Sequence, residues 1–396
     1  MHRRRFIQGA AFAPLLLSLP EGRDAISDGA AMIHRPNAEF MATLPRLMEV
    51  AMLPGVGIGV VSGHRLVWSH YAGVADATAA TPIDARSLFP GCSLGKPLFA
   101  QAVLRLVDEG RLDLDRPLAA FLPTDAPTGK FGSKVTARHV LSHSTGFVNW
   151  RQGTNEQLTS EFEPGTRFQY SGEGFYTLQR CVEKITGTGF EQFIQDHLMV
   201  PLGMRSSTYL WRSDAELRVV SGHTAARQPN RRFWDFNKRL FELIAKSGEP
   251  LARWNHERIV RAMTGPDIPM PNGISPNVAF SLLTTVSDYA LLAARLAAPA
   301  GDALDLKPAT RMRMTRPVSR INSALSWGLG IGLEMTARGQ YLWQWGDNGL
   351  WKDFLLVHPG SGSAVVVFTN GANGMRVAER IVRAASGLEH EVFLWA

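Results

Sequence analysis

Ser93-Leu94-Gly95-Lys96 opens a stretch whose apolar residues, among them Leu98, Ala102 and Leu106, recur at helical spacing. Residues three apart lie on one face of a helix, so the Lys96 amine can approach the Ser93 hydroxyl. An amine held out of water sheds its proton more readily and can then act as the base for a hydroxyl nucleophile. A helix start adds backbone N–H groups and the positive end of the helix dipole, both suited to a developing oxyanion. Together these are the parts of an acyl-transfer site. Ser-x-x-Lys also recurs by chance in unrelated chains, so the spacing alone does not assign the function.

Other chemistry-bearing groups are less well placed. His139 and His143 stand four apart on a stretch that reads as helix, but no Glu follows the first as HExxH requires, and structural hydrogen bonding is the expected role. Asp108, Glu109, Asp113 and Asp115 lack the glycine and glutamate spacing of a calcium loop and read as solvated turn acids. Cys92 and Cys181 make no CxxC or Cys/His pattern; a bridge between them is open, with two buried free thiols the simpler reading. No metal and no cofactor is expected. The glycine runs Gly55-Val56-Gly57-Ile58-Gly59 and Gly328-Leu329-Gly330-Ile331-Gly332 sit inside strand patterns, where alternate glycines admit a closely packed neighbour rather than a phosphate.

Strand signals at both ends of the chain must position the helix that Lys96 opens. Gly55 to Ser62 and Arg65 to Gly73 are rich in β-formers and flank Gly63-His64, a hairpin signal. Near the C-terminus Trp327 to Met335, Tyr341 to Gly346, Trp351 to His358 and Ala364 to Asn370 read as strands, and Met375 to Ser386 as a closing helix. Between them the pattern is mainly helical, with Glu173 to Thr186, Phe190 to Met199 and Thr285 to Ala297 clearest. Unpaired strands at either end would leave open edges, so one antiparallel sheet built from both chain ends is expected. The fold class is α/β in the α+β sense, with an α/β lobe from about 35–90 and 300–396, a helical lobe over about 91–299, and the active site between them.

The chain has 396 residues, 45% of them hydrophobic and 19% charged, which excludes whole-chain disorder and suits a large core. Its formal charge is +7; the first 25 residues, with four arginines and two acids, account for the excess over about +5. The densest basic patch, Arg231 to Arg239, reads as a solvated amphipathic helix, and no nucleic-acid partner is expected. Arg3-Arg4-Arg5-Phe6-Ile7 followed by apolar Gly9 to Leu19 resembles a twin-arginine (Tat) export signal, with His2 where Ser or Thr is usual. The apolar run is too short to span a bilayer. The expectation is a signal peptide over 1–31, cleaved between Ala25 and Ala31, and a periplasmic or secreted protein with no stable membrane span in its mature form.

Together with Ser93 to Lys96, four further segments occur in a fixed order. Phe162-Glu163-Pro164-Gly165-Thr166-Arg167-Phe168-Gln169 leads into Tyr170-Ser171-Gly172, which resembles the PGxxFxYSN segment of class C β-lactamases and penicillin-binding-protein-like serine hydrolases. Val135 to Gly146 is similar to that family's ITxRHLLxHTSG, Pro201-Leu202-Gly203-Met204 to its PLGM, and Ser281 to Tyr289 to its SLLTTxxDY. The resemblance runs over about 35–390. It implies Ser93 as nucleophile, Lys96 as its partner and Tyr170 as a second proton-transfer residue, whose phenolate a nearby ammonium would stabilise or which would act within a relay. It also implies an oxyanion hole from the backbone N–H groups of Ser93 and Leu350.

The departures from that pattern bear on substrate. Gly172 stands where the family commonly has the Asn that binds a substrate amide carbonyl. Asp347-Asn348-Gly349 stands where Lys-Thr-Gly or His-x-Gly lines the cleft, so an anion replaces a cation that favours carboxylates. An Asp there is expected to repel a carboxylate, unless it pairs with Lys96 or an arginine. Trp345, Trp351, Trp150, Phe147 and Trp234 are candidate walls of an apolar acyl pocket. The expected activity is esterase-like hydrolysis of an ester or non-β-lactam amide, with a small-molecule ester, amide or peptide as partner. A β-lactamase or D-alanyl-D-alanine carboxypeptidase, and a non-catalytic binding relative, remain open.

Overall fold

In the computed structural model, which describes residues 31–122, 125–152, 156–230, 234–263, 273–299 and 306–395, Gly63 and His64 have φ of 55° and 63°. Two successive left-handed residues make the tight turn whose twist matches paired strands, so the first two strands fold back on each other. In chain order the strands are β1 (Gly55–Ser62), β2 (Arg65–Asp76), β3 (Thr81–Pro82), β4 (Phe89–Cys92), β5 (Gly222–His223), β6 (Pro229–Asn230), β7 (Leu282–Thr284), β8 (Ser319–Arg320), β9 (Leu325–Trp327), β10 (Gly332–Thr336), β11 (Gly339–Asp347), β12 (Lys352–His358) and β13 (Ser363–Thr369). The helices used below are α1 (Ala38–Val50), α2 (Gly95–Asp108), α3 (Ala137–Leu141), α4 (Gly172–Thr186), α5 (Val286–Ala297) and α6 (Gly374–Ser386). The expected signal peptide, apart from Ala31, and Arg231-Arg232-Phe233 of the basic patch lie outside the described residues.

Among the described residues nine strands form one sheet in the order β3-β2-β1-β13-β12-β11-β10-β9-β8. The two chain ends meet where β1 pairs antiparallel with β13, Ile58 opposite Val367. This is the expected antiparallel sheet drawn from both ends, with helices flanking it. One face packs Trp343, Phe354 and Val365 against α1 and α6; the other packs Leu342, Leu355 and Phe368 against α2 and α5. Covered on both faces, β13 is buried at every residue, which is why its sequence is an unbroken apolar run rather than an alternation. A Cβ on Gly57 or Gly59 would lie 2.8 or 2.7 Å from a methyl of Val286, so the glycines of β1 admit α5 at close range. Ala31–Ala396 form one compact unit, and no helix among the described residues is long and apolar enough to cross a membrane.

Two elements differ from the sequence reading. Trp327 to Met335, read as one strand, is β9 and β10 separated by a loop in which Gly330 (φ 86°) lies against Ala100 of α2. The chain leaves the ladder there to make room for the helix that carries Lys96. His143, expected to share a helix with His139, lies beyond the end of α3 with φ 51°. Cys92 and Cys181 are both free and buried.

Candidate active site

The turn from β4 into α2 sets the nucleophile. Cys92 has φ 49°, a left-handed conformation uncommon for a side-chain-bearing residue, and Ser93 follows it directly. Leu94 N–H then donates to Gly91 O (2.8 Å) and Lys96 N–H to Ser93 O (3.0 Å), which starts the helix. Two buried tyrosines distant in sequence brace this first turn: Tyr209 donates to Gly95 O and Tyr289 to Leu94 O, each at 2.8 Å. A Cβ on Gly95 would meet the Tyr209 ring and Val278 O, so only glycine fits beneath them.

Lys96 is 1% exposed. Its Nζ donates to Ser93 Oγ at 2.8 Å and to Ala279 O at 2.9 Å, and lies 5.0 Å from the centre of the Tyr170 ring. No carboxylate pairs with it among the described residues. Burial without a counter-charge lowers the Lys96 pKa from 10.5 to about 7. Half of such amines are neutral near pH 7, which is the condition for a general base. Tyr170 is moved the other way: burial raises its phenol above the usual range, opposed by hydrogen bonds with Ser93 and with Gln344. Phenolate at neutral pH, one of the two expected states, is therefore disfavoured, and the relay remains.

Beneath Tyr170 lies His143, its ring stacked at 4.1 Å between centroids. Ser171 N–H donates to His143 Nδ1 at 3.1 Å, which leaves the proton of the neutral ring on Nε2. Burial, with a smaller contribution from Lys96, pushes its pKa well below 6.5, so the ring stays neutral beside the amine. His139 instead caps α3, where its Nδ1 accepts from Thr136 N–H at 3.2 Å. Neither histidine is arranged as a zinc ligand pair.

Ser93, Lys96, Tyr170, Asp347 and Asn348 share one cavity of about 200 Å³, completed by Asn149, Trp150, Ala279, Phe280 and Trp345. Gly172, Gly349 and Leu350 are not among its lining residues. Gly172 lies under the Trp150 indole, which fills the space a side chain would need. Its N–H donates to Asn149 Oδ1 at 2.8 Å, which leaves Nδ2 as the donor this cavity-lining side chain has to offer. Leu350 O accepts from His223 N–H at 3.4 Å, and Asn348 Nδ2 donates to Phe280 O at 3.1 Å. These two bonds fix the β11–β12 turn against the segments that follow Val220 and Val278.

Asp347 pairs with neither Lys96 nor an arginine. Its Oδ1 accepts from Lys352 Nζ at 2.5 Å and from Gly349 N–H at 2.7 Å. The anion expected to repel carboxylates is thus neutralised across the hairpin, which corrects the simple repulsion argument. A larger cleft of about 690 Å³, lined by Trp211, Trp234 and charged residues, contains none of the expected catalytic or substrate-binding residues apart from Trp234, a candidate pocket wall. Four of its charges are paired with each other, Arg218 with Asp214 and Lys238 with Glu216, both at 2.6 Å.

Comparison with known proteins decides the family, because the Beta-lactamase profile matches residues 40–389. The chain belongs to the β-lactamase family. Over 165 residues it is 29% identical to Penicillin-binding protein 4* of Bacillus subtilis (strain 168), covering 37% of this chain and 36% of that one. Over 234 residues it is 29% identical to Esterase EstB of Burkholderia gladioli, covering 52% and 58%. The chain therefore spans about a third to somewhat over half of these curated relatives. In fold it is similar to EstCE1, a hydrolase with promiscuous acyltransferase activity, with TM-score 0.68, 18% identity and coverage of 88% and 97%.

Within this β-lactamase-family cavity, sequence reasoning missed Asn149, Ala279 and Phe280. Ala279 contributes only a backbone carbonyl, which no residue type announces. Of the five aromatic residues considered for the acyl pocket, Trp150 and Trp345 line it. Phe147 and Trp351 are core residues, and Trp234 faces the larger cleft, because hydrophobicity alone does not say which buried surface a ring joins.

Proposed function

We propose that this chain is an exported serine hydrolase that cleaves an ester or a non-β-lactam amide through an acyl-enzyme on Ser93. The observation that carries the reading is a buried, unpaired Lys96 amine 2.8 Å from the Ser93 hydroxyl. Neutral Lys96 takes the Ser93 proton as Oγ attacks the substrate carbonyl. The Ser93 backbone N–H receives the oxyanion; the family resemblance implies Leu350 N–H as the second donor, from the turn that adjoins the cavity rather than from its lining. Tyr170, bonded to Ser93, gives its phenol proton to the leaving group and regains one from the Lys96 ammonium, so that Lys96 is again neutral and Tyr170 again a phenol between turnovers. Water then repeats the sequence in reverse on the acyl-enzyme and frees the acid.

The walls favour an acyl group that is compact and partly aromatic: Trp150, Phe280 and Trp345 supply flat apolar surface and Asn149 one donor. Similarity to Esterase EstB supports the ester preference, while similarity to Penicillin-binding protein 4* keeps peptide-like amides as the alternative. Export rests on the twin-arginine pattern of residues 3–7.

The test sets a short-chain p-nitrophenyl ester beside a chromogenic cephalosporin, using the mature protein and Ser93→Ala. Ester turnover that disappears in the variant, with the cephalosporin untouched, is the expected result. Cephalosporin turnover would move the assignment to β-lactamase, and Ser93-independent ester turnover would remove Ser93 from the chemistry.

A further inference from the structure

Asp347 ends β11 and stands opposite Lys352, the first residue of β12, in the antiparallel register. The two side chains differ in depth. That of Lys352 is 15% exposed and that of Asp347 42%, and of the two only Asp347 lines the cavity. Two donors meet on one oxygen: the Lys352 ammonium at 2.5 Å and the Gly349 N–H at 2.7 Å both reach Asp347 Oδ1. An ammonium and a backbone N–H converging on one point are what a carboxylate ligand requires. Here the chain's own carboxylate already occupies them, on the wall it shares with Ser93 and Asn348. Among the described residues Lys352 has no other ion-pair partner.

We infer that Lys352 is a masked carboxylate-binding cation and that Asp347 is its internal occupant, so the site excludes carboxylate-bearing substrates by prior occupation. The inference rests on the hydrolase reading for its kinetic arm only. It differs from plain repulsion by Asp347 in one respect. Repulsion requires only that Asp347 be removed, whereas masking requires that Lys352 be present to receive the substrate once Asp347 is gone.

The experiment compares phenyl acetate with 3-acetoxybenzoate, the same acetyl ester with a carboxylate on its leaving group. The proteins are the mature chain, Asp347→Ala and Asp347→Ala/Lys352→Met, with Asp347→Asn as a second variant should the alanine chain fold poorly. Asp347→Ala is expected to raise the kcat/KM ratio for the carboxylate ester over phenyl acetate by about tenfold or more, the scale of one charge-assisted hydrogen bond. Adding Lys352→Met returns the ratio to that of the parent chain. An unchanged ratio in Asp347→Ala, or a gain that persists without Lys352, overturns the inference. Calorimetric titration with benzoate reads the same site without turnover: binding is expected in Asp347→Ala and lost in both the parent and the double variant. That benzoate pattern in a chain with no Ser93-dependent turnover would overturn the hydrolase reading and leave the masked cation standing. Turnover with no benzoate binding by Asp347→Ala would do the opposite.

Discussion

Lys96 Nζ lies 2.8 Å from Ser93 Oγ and 2.9 Å from Ala279 O, inside the protein and without a carboxylate. Its partners can accept a hydrogen bond from the amine, but none carries a formal negative charge to hold the ammonium. The desolvation that results brings its pKa to about 7, and this sets the first expectation. Turnover of an ester should rise from acid pH, roughly tenfold per pH unit, and level off above about pH 7 as Lys96 loses its proton. A pH–rate profile under chemistry-limited conditions checks it; a flat profile from about pH 5 to about pH 9 would contradict a lysine base.

The same burial has a cost in stability. Between about pH 7 and 10.5 the unfolded chain holds a proton on Lys96 that the native chain does not, so this group's contribution to stability rises with pH across that window. Lys96→Met removes the desolvated amine. It should abolish turnover and still raise Tm at pH 7, with a smaller gain at pH 10. Calorimetric melts at the two pH values test the sign, and an equal gain at both would mean that Lys96 is not the source.

Gly172 carries the Trp150 indole directly over its Cα. Gly172→Ala should therefore destabilise the fold by about 1–3 kcal/mol through overpacking. In a Trp150→Ala background the same change should cost much less. Urea titration of Gly172→Ala, Trp150→Ala and Gly172→Ala/Trp150→Ala measures it, and an equal cost of Gly172→Ala in both backgrounds would place the clash elsewhere.

Asn149 Oδ1 is held by Gly172 N–H at 2.8 Å, so Nδ2 is the donor this cavity-lining side chain has to offer a substrate. Asn149→Ala should lower kcat/KM by about fivefold, the scale of about 1 kcal/mol, for esters with an acylamino group beside the scissile carbonyl. Plain alkyl esters should change little. Equal losses on both ester types would indicate a purely structural role for Asn149.

Cys92 and Cys181 are buried, and burial pushes the Cys181 thiol up to about 12. Neither should react with a thiol reagent in the native protein, and both should react after unfolding without prior reduction. A reductant should leave Tm unchanged. A Tm that falls on reduction would reveal a bridge.

What the sequence by itself determined was local and ordered. Gly63-His64 between two runs of β-formers specified the first hairpin, because only turn geometry and alternation are involved. Ser93 and Lys96 were legible as a pair for the same reason: one helical turn brings them together. Tyr170 was legible only through a run of motifs in family order. The rest needed distant partners. Lys96 and Ala279 are 183 positions apart, and the loss of a lysine's proton depends on which groups surround it, not on its own segment. Asp347 looked like a bare anion in the cleft until the antiparallel register put Lys352 across from it. Gly172 looked like a missing side chain until Trp150 filled its place. Hydrogen-bonding type and helical or strand period are properties of a segment, but burial, charge pairing and cavity walls belong to surfaces that only the folded chain brings into contact.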